Sequence, residues 1–464
     1  MRKQTFASVL LAAALLLGGC SDTSSSQGGK DSSEQVSSAA QTTTAAESGT
    51  SSAATTTTAA VRKYDYVHGT DGYYNLLDEC KQFEMNTQQA GTCWLYAARA
   101  SMQTSYEKQT GKKLNMEIYD MLQAVYGDEK QEGFFIGSSI SKLDLGGYQQ
   151  YVTDSLSNGF KDGITLDSSV IMDPTDREAI KNAVRTRGGV AVAIDAQNSG
   201  AAIFGDYPTA NYKKAIKYDH AITVVGWDDH FPKDYFRVPA EQDGAWIIYN
   251  SNLGKMLQYI SYCSPLEFAI SHTVSEDYSE VLSFDAGNVM SGHITTGGST
   301  KAANVFHKKG KLAAVGTFND FDKQDIKIEI MSADFKNVLY TQDAKLDYQG
   351  YHTIKLSTPV DVEDFAVAIT YSKGAPVESE SFGNDVASYK TKIEKGQSFV
   401  FAGGKWKDMT DSDIKSVVKT DKGQSFLDSE NGAWKDYITD SAAEELKKKD
   451  FTPGNCCIKA LFAK

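Results

Sequence analysis

The chain has 464 residues, 11% of them aromatic, and a net charge of −13 at pH 7. With no basic cluster beyond the first residues, that balance excludes nucleic acid as a partner, because such affinity rests on neutralising phosphates with Lys and Arg. The length exceeds one comfortable hydrophobic core, so two folded domains are expected once the N-terminal segment is set aside.

Arg2-Lys3 is followed by an apolar run from Phe6 to Leu17 and then by Leu17-Gly18-Gly19-Cys20. A basic start, a short apolar run and small residues describe a secretory signal, too short to span a bilayer comfortably. Leu-Gly-Gly-Cys resembles a bacterial lipoprotein signal. That resemblance implies a signal peptide over residues 1–20, cleavage before Cys20, lipidation of its thiol, and an extracytoplasmic chain anchored to the bacterial cell membrane. Residues 21–60 are dominated by Ser, Thr, Ala, Gln and Gly. Such a segment cannot offset its ordering entropy and reads as a flexible tether. No second long apolar run follows.

The stretch Gln88-Gln89-Ala90-Gly91-Thr92-Cys93-Trp94-Leu95-Tyr96-Ala97-Ala98 places a Cys at the end of a Gly-containing turn and the start of an apolar segment with helical character. Helix N-termini carry partial positive charge and favour thiolate over thiol, which makes Cys93 a candidate nucleophile. Farther on, Asp176 to Ala196 reads as a helix leading into the strand Val190-Ala191-Val192-Ala193-Ile194. A nucleophilic Cys needs a base, and the base an orienting group. The first His after Cys93 is His220, in Asp219-His220-Ala221-Ile222-Thr223-Val224-Val225-Gly226-Trp227. The Val and Ile run predicts a strand, a rigid place from which to aim an imidazole. Gly244-Ala245-Trp246-Ile247-Ile248-Tyr249-Asn250-Ser251 predicts another strand, and the Asn250 side-chain oxygen can accept the imidazole N–H and set its tautomer. Cell-wall amidases of the NlpC type and transglutaminase-like folds also run Cys then His, but with shorter spacing.

There are six cysteines. With Cys20 lipidated, an odd number remains, so at least one thiol stands outside any bridge, with Cys93 the candidate. Pairing among Cys80, Cys263, Cys456 and Cys457 stays open. No Cys-x-x-Cys or other metal-ligand spacing occurs, so neither a metal nor a cofactor is expected.

Together, Gly-x-Cys-Trp at Cys93, Asp-His-Ala with the following Val-Val-Gly-Trp, and Trp246 to Ser251 resemble the papain family of cysteine peptidases. The resemblance implies an α+β fold over residues 61–278, with a helical part and a β-barrel part, and protein or peptide as substrate. It implies Cys93 as nucleophile, His220 as its acid and base, and Asn250 as the orienting residue. Gly146-Gly147 resembles the glycine pair that lines the substrate cleft. The chain also departs from the family pattern. The oxyanion-hole Gln belongs six residues before the nucleophile, where Thr87 stands. Gln88, one residue later, is therefore the candidate donor beside the Cys93 backbone N–H, with Gln89 in reserve. The family's Asn-Ser-Trp-Gly reads Asn250-Ser251-Asn252-Leu253-Gly254, so the shield over the His–Asn contact is missing or supplied by another residue, such as Trp227 or Trp246. Ala90 stands where the family often has a bridging Cys.

Beyond about residue 279 the texture changes to short alternating segments: Ile326-Lys327-Ile328-Glu329-Ile330, Phe365 to Tyr371, and Gln397 to Phe401 before Gly403-Gly404-Lys405-Trp406. Period-two alternation punctuated by Gly, Asp and Asn predicts an all-β sandwich over residues 279–464. The closing Cys457-Ile458-Lys459-Ala460-Leu461-Phe462 predicts one more strand. Domain order and these segments resemble the lectin-like domain that follows papain-type peptidases in some bacterial surface proteins, which implies a surface glycan as partner. Trp406, Tyr348 and Tyr351 are candidates to stack on it. Two other readings remain: a surface adhesin whose peptidase domain has lost efficient catalysis, and an aminopeptidase of the bleomycin-hydrolase type, which the signal and the β-rich half argue against.

Overall fold

The computed structural model describes residues 64–126, 149–285, 292–379, 393–422 and 453–464. The signal, the tether, Cys20, Gly146 and Gly147 lie outside the described residues. Among the described residues no helix is long and apolar enough to cross a membrane.

The N-terminal half contains β1 (Tyr73–Asn75), α1 (Cys93–Thr110), α2 (Ile118–Tyr126), α3 (Gln149–Ser157), β2 (Thr165–Met172), α4 (Arg177–Thr186), β3 (Val190–Ile194), β4 (Ala202–Phe204), β5 (Tyr207–Ala210), β6 (His220–Asp228), β7 (Ala245–Tyr249), β8 (Leu257–Ser261), β9 (Glu267–Ser275) and β10 (Tyr278–Leu282). β6 is the hub of the sheet. It pairs antiparallel with β3 and β7 along its length and with β1 at its far end. β8 continues from β7, while β9 joins β3 to β2. The predicted helix before β3 is α4, whose N-terminus is capped by the Asp176 carboxylate accepting from Ala179 N–H at 3.0 Å.

Helix α1 is almost wholly buried, which explains why its sequence is not amphipathic. One core lies on the helical side, around Trp94, Leu95, Met102, Met121 and Tyr151. A second lies among the strands, around Val192, Val224, Ile247, Ile248 and Tyr259. Gly188 and Gly189 let α1 approach β3 closely. Gly188 has φ +129, and a Cβ there would stand 2.7 Å from Ser105 N, while one on Gly189 would stand 2.6 Å from Thr223 Cγ2. The same contact is tied by Ser101 Oγ donating to Gly189 O at 2.6 Å and Gly189 N–H donating to Thr104 Oγ1 at 2.9 Å.

The C-terminal half is a β-sandwich, as expected. Its strands are β11 (Gly292–Thr295), β12 (Thr300–Asn319), β13 (Gln324–Ser332), β14 (Val338–Leu346), β15 (Gln349–Tyr371), β16 (Ala375–Ser379), β17 (Ser398–Ala402), β18 (Lys405–Asp408), β19 (Lys419–Lys422), β20 (Pro453–Cys456) and β21 (Ile458–Ala463), with a short helix α5 (Ile414–Val417). One sheet is built on the long strands β12 and β15; the other has the order β19-β11-β16-β20. Gly403 and Gly404, at φ 60 and 78, make the left-handed two-residue turn expected between β17 and β18. Ile326, Ile328 and Ile330 enter the core between the sheets, with Phe365, Val367 and Ile369 beside them. Ala366 and Ala368 on the opposite face are also buried, because Phe335, Phe399 and Trp406 pack over them.

The two halves share strand pairing. Residues 349–352 of β15 pair with 168–171 of β2, and β21 lies between β10 and β12. Thr353 Oγ1 donates to Leu166 O at 2.8 Å across this junction. Tyr351 is fully buried there, against Phe318, so it is not available to stack on a ligand. Tyr348 is 41% exposed. Lys459 on β21 is completely buried, and its Nζ reaches Asp285 at 2.8 Å, Ser283 at 2.9 Å and Asn158 at 2.7 Å.

Candidate active site

Cys93 is the first residue of α1, with Thr92 as its N-cap residue. Thr92 O accepts the N–H groups of Leu95 and Tyr96, so Cys93 sits in the turn whose own amides lack intrahelical acceptors. Two bonds hold this turn. Gln149 Nε2 on α3 donates to Trp94 O at 2.6 Å, and Thr223 Oγ1 on β6 donates to Ala97 O at 3.2 Å. The second ties the helix that begins at Cys93 to the strand that begins at His220. Among the described residues, Cys80, Cys263, Cys456 and Cys457 are not in disulfides. Geometry explains the other thiols. Cys456 and Cys457 are neighbours in extended chain and face opposite cores, one in the sandwich and one under α1. Cys80 donates to Thr104 O, and burial pushes the Cys80 and Cys456 thiols up to about 12.

His220 opens β6 and is 2% exposed. Its Nε2 is 2.9 Å from Asn250 Oδ1, just past the end of β7. Burial lowers the His220 pKa, and the Asn250 hydrogen bond opposes that shift by favouring the imidazolium. Beside it, Asp219 accepts from Ala196 N–H at 2.8 Å, and burial raises its carboxyl pKa. The loop before His220 is pinned by Asp195, whose carboxylate accepts from Asn198, Ile216 and Lys217 backbone N–H groups.

Asn250 has both ends of its amide engaged. Its Oδ1 also accepts Asn252 N–H at 3.0 Å, and its Nδ2 donates to Gln258 Oε1 at 2.8 Å. Asn252 Nδ2 lies 3.5 Å from His220 Nε2. Asn252 therefore stands beside the His–Asn contact. Trp227 and Trp246 face each other at the opposite end of β6 and β7, where Trp227 stacks on Tyr74 and Trp246 packs on Tyr262. Neither shields the contact, which leaves the other alternative, that the family's tryptophan shield is missing. Gln258 was missed in the sequence, although a lone amide in the apolar Leu257-Gln258-Tyr259-Ile260 strand is a signal. It pairs with Ile248, which places it diagonally across from Asn250 on one face of the hairpin.

Gln88 is carried to the same region. Its N–H donates to Ser251 O at 3.0 Å, its Oε1 accepts from Ser251 Oγ at 2.7 Å, and its Nε2 donates to Ala90 O at 2.9 Å. Ala90 adopts φ 50, a left-handed conformation uncommon outside Gly. Among the described residues, no group of three or more His, Cys, Asp or Glu side chains is arranged to hold a metal ion.

Comparison with known proteins fits this geometry. Residues 78–251 match the papain family cysteine protease family, and residues 283–420 match the lectin like domain. Cathepsin S of Mus musculus is 26% identical over 164 residues, covering 32% of this chain and 47% of that protein. Cathepsin S of Bos taurus is 25% identical over 179 residues, covering 32% and 48%. The chain thus spans about half the length of these curated relatives. Among solved structures, the cysteine protease and lectin-like domains of Cwp84, a surface layer associated protein of Clostridium difficile, share the fold at TM-score 0.59 and 16% identity, over 85% of this chain and 89% of that one. A clostridial Cwp84 structure after propeptide cleavage gives TM-score 0.57 and 16% identity, over 84% and 98%. The likeness covers both halves and their order, and the chain combines a papain-family cysteine protease domain with a lectin-like domain.

Proposed function

We propose that this chain is a cell-surface cysteine endopeptidase of papain type, lipid-anchored to a bacterial membrane through Cys20. In this reading residues 1–20 are the signal, 21–60 the tether, 61–278 the peptidase domain and 279–464 the lectin-like domain. The Cys93 thiolate attacks a peptide carbonyl. His220, as imidazolium, protonates the leaving amine and then acts as base when water hydrolyses the thioester. Its Nε2 is engaged by Asn250, so Nδ1 exchanges the proton with sulfur. Gln88 and the Cys93 backbone N–H hold the oxyanion, and Gly146-Gly147 line the substrate cleft.

The observation that carries the reading is the 2.9 Å contact between buried His220 and Asn250 on strands locked to the helix that starts at Cys93. The anchor is compatible with it. The described chain enters beside Asp228, where His68 Nδ1 meets Asp228 Oδ2 at 2.6 Å. Asp228 ends β6 and His220 begins it, so about 25 Å of strand separates the His68–Asp228 contact from the site. The surface-layer association of Cwp84 also supports an extracytoplasmic place. Glycan binding by the lectin-like domain draws support from Trp406, which stacks on Phe335 at 4.3 Å and packs against the 39% exposed Phe401.

A second reading, a peptidase-like surface adhesin with weakened catalysis, is favoured by one observation: the Gln88 amide is spent on Ala90 O. A thiol-directed epoxide decides between them. Applied to the reduced chain, with mass spectrometry locating the adduct, it is expected to label Cys93 stoichiometrically. His220→Ala should lose that labelling, and Cys93→Ala should lose peptide hydrolysis while keeping the fold. Full hydrolytic activity in Cys93→Ala would overturn the peptidase assignment, and absent labelling would favour the adhesin.

A further inference from the structure

We infer that Gln258 is a positioning residue for the reaction, fixing the amide of Asn250 so that its oxygen faces His220. The inference rests on the proposed Cys93, His220 and Asn250 machinery. An Asn side chain has two nearly isosteric ends, and only the oxygen can accept an imidazole N–H. Here the donor end is held by Gln258 Oε1 at 2.8 Å, which leaves Oδ1 for His220 Nε2 at 2.9 Å and Asn252 N–H at 3.0 Å. Gln258 is 1% exposed, Asn250 1% and His220 2%, so water does not compete freely for these bonds. A reversed amide would point two N–H groups at donors and leave Gln258 Oε1 without its proton, a costly arrangement at this depth.

The fold explains why this residue can act. β8 turns back along β7, so Gln258 lies on the same face of the hairpin as Ile248 and Asn250. The tryptophan that would cover the His–Asn contact is absent, and Asn252 occupies its place in the chain. In this protein a hydrogen-bonded partner at the back of Asn250 does the orienting that a ring would do by covering it.

The test is the pH dependence of Cys93 alkylation by iodoacetamide on the reduced full chain, with adducts located by mass spectrometry. This readout needs no knowledge of the substrate. Gln258→Met keeps the volume and removes the acceptor. It is expected to slow alkylation at pH 6 about ten-fold, shifting the midpoint of its rise upward by about one pH unit, the scale on which loss of an orienting partner is felt. Gln258→Asn, which withdraws the acceptor by one methylene, should shift it the same way and serves if the Met variant does not fold. Gln258→Glu keeps an acceptor oxygen and should restore the parent profile. Asn250→Ala should show the same shift, and adding Gln258→Met to it should change nothing more. A residue that only packs would lower the melting temperature and leave the midpoint in place. An unmoved midpoint in both the Met and Asn variants, or an additive double variant, overturns the inference alone. A profile unmoved by His220→Ala overturns the proposed machinery itself, and the inference with it.

Discussion

Asp167 on β2 accepts from Ser275 Oγ at 2.8 Å, yet burial pushes its pKa up to about 6. An unfolded Asp titrates near 3.9, so the folded chain binds this proton more tightly. The group therefore weakens the fold progressively as pH rises from about 4 through about 6. Asp167→Asn is expected to raise the melting temperature at pH 8 and to give no gain at pH 4, measured by thermal unfolding at both. Two histidines act on the other side. Burial drives His272 down to about 3 and His352 to about 4. Both are neutral in the fold and take up protons on unfolding, so their contribution is lost as pH falls below about 6.5. The sequence made Cys93, His220 and Asn250 legible because each lies in a short motif at the start or end of an apolar element. Gln258 was not legible in that way. Its role depends on which residue the hairpin register places beside Asn250, and no local pattern states a register.

At the scale of elements, α1 matters most, because it both fills a core and begins with Cys93. Its docking depends on the Gly188-Gly189 step, where the helix backbone comes within a Cβ's reach. Gly188→Ala would place a methyl 2.7 Å from Ser105 N at a φ that L residues rarely adopt. Overpacking of this kind costs about 1–3 kcal/mol. The expected outcome is a lower denaturant midpoint together with slower Cys93 alkylation, since the helix cannot shift without moving its first residue. Helix α4, strand β6 and the β17–β18 hairpin were readable from an Ala-Ile-Lys-x-Ala-Val pattern, a Val-Ile run and a Gly-Gly turn. The long strands β12 and β15 were not readable as such. Only Phe365 to Tyr371 at the end of β15 stood out, because the middles of both strands, 307–309 and 357–359, are exposed and carry no apolar alternation. Asn252 and the distant Trp pair show the same limit, because covering a contact is a matter of three-dimensional neighbours.

The two halves of the molecule are joined by more than a linker. Lys459 and Asp285 form a fully buried pair, and Asn158 from the peptidase half completes the shell around the ammonium. Removing one member of such a pair costs about 3–5 kcal/mol, because it leaves a charge buried alone. Lys459→Met is therefore expected to lower the melting temperature of both halves in one transition. The double variant with Asp285→Leu should recover much of the loss, with near-ultraviolet circular dichroism following the transition. β21 runs between β10 and β12 while its neighbour Cys457 packs beneath α1 and Cys456 packs in the sandwich. Protein synthesis proceeds from the N-terminus, so this strand is the last of the described elements to leave the ribosome. Cys93, His220 and Asn250 all emerge well before it, into a chain whose two cores are each still missing a piece. The core beneath α1 and the core of the sandwich are therefore both completed only when this late strand docks.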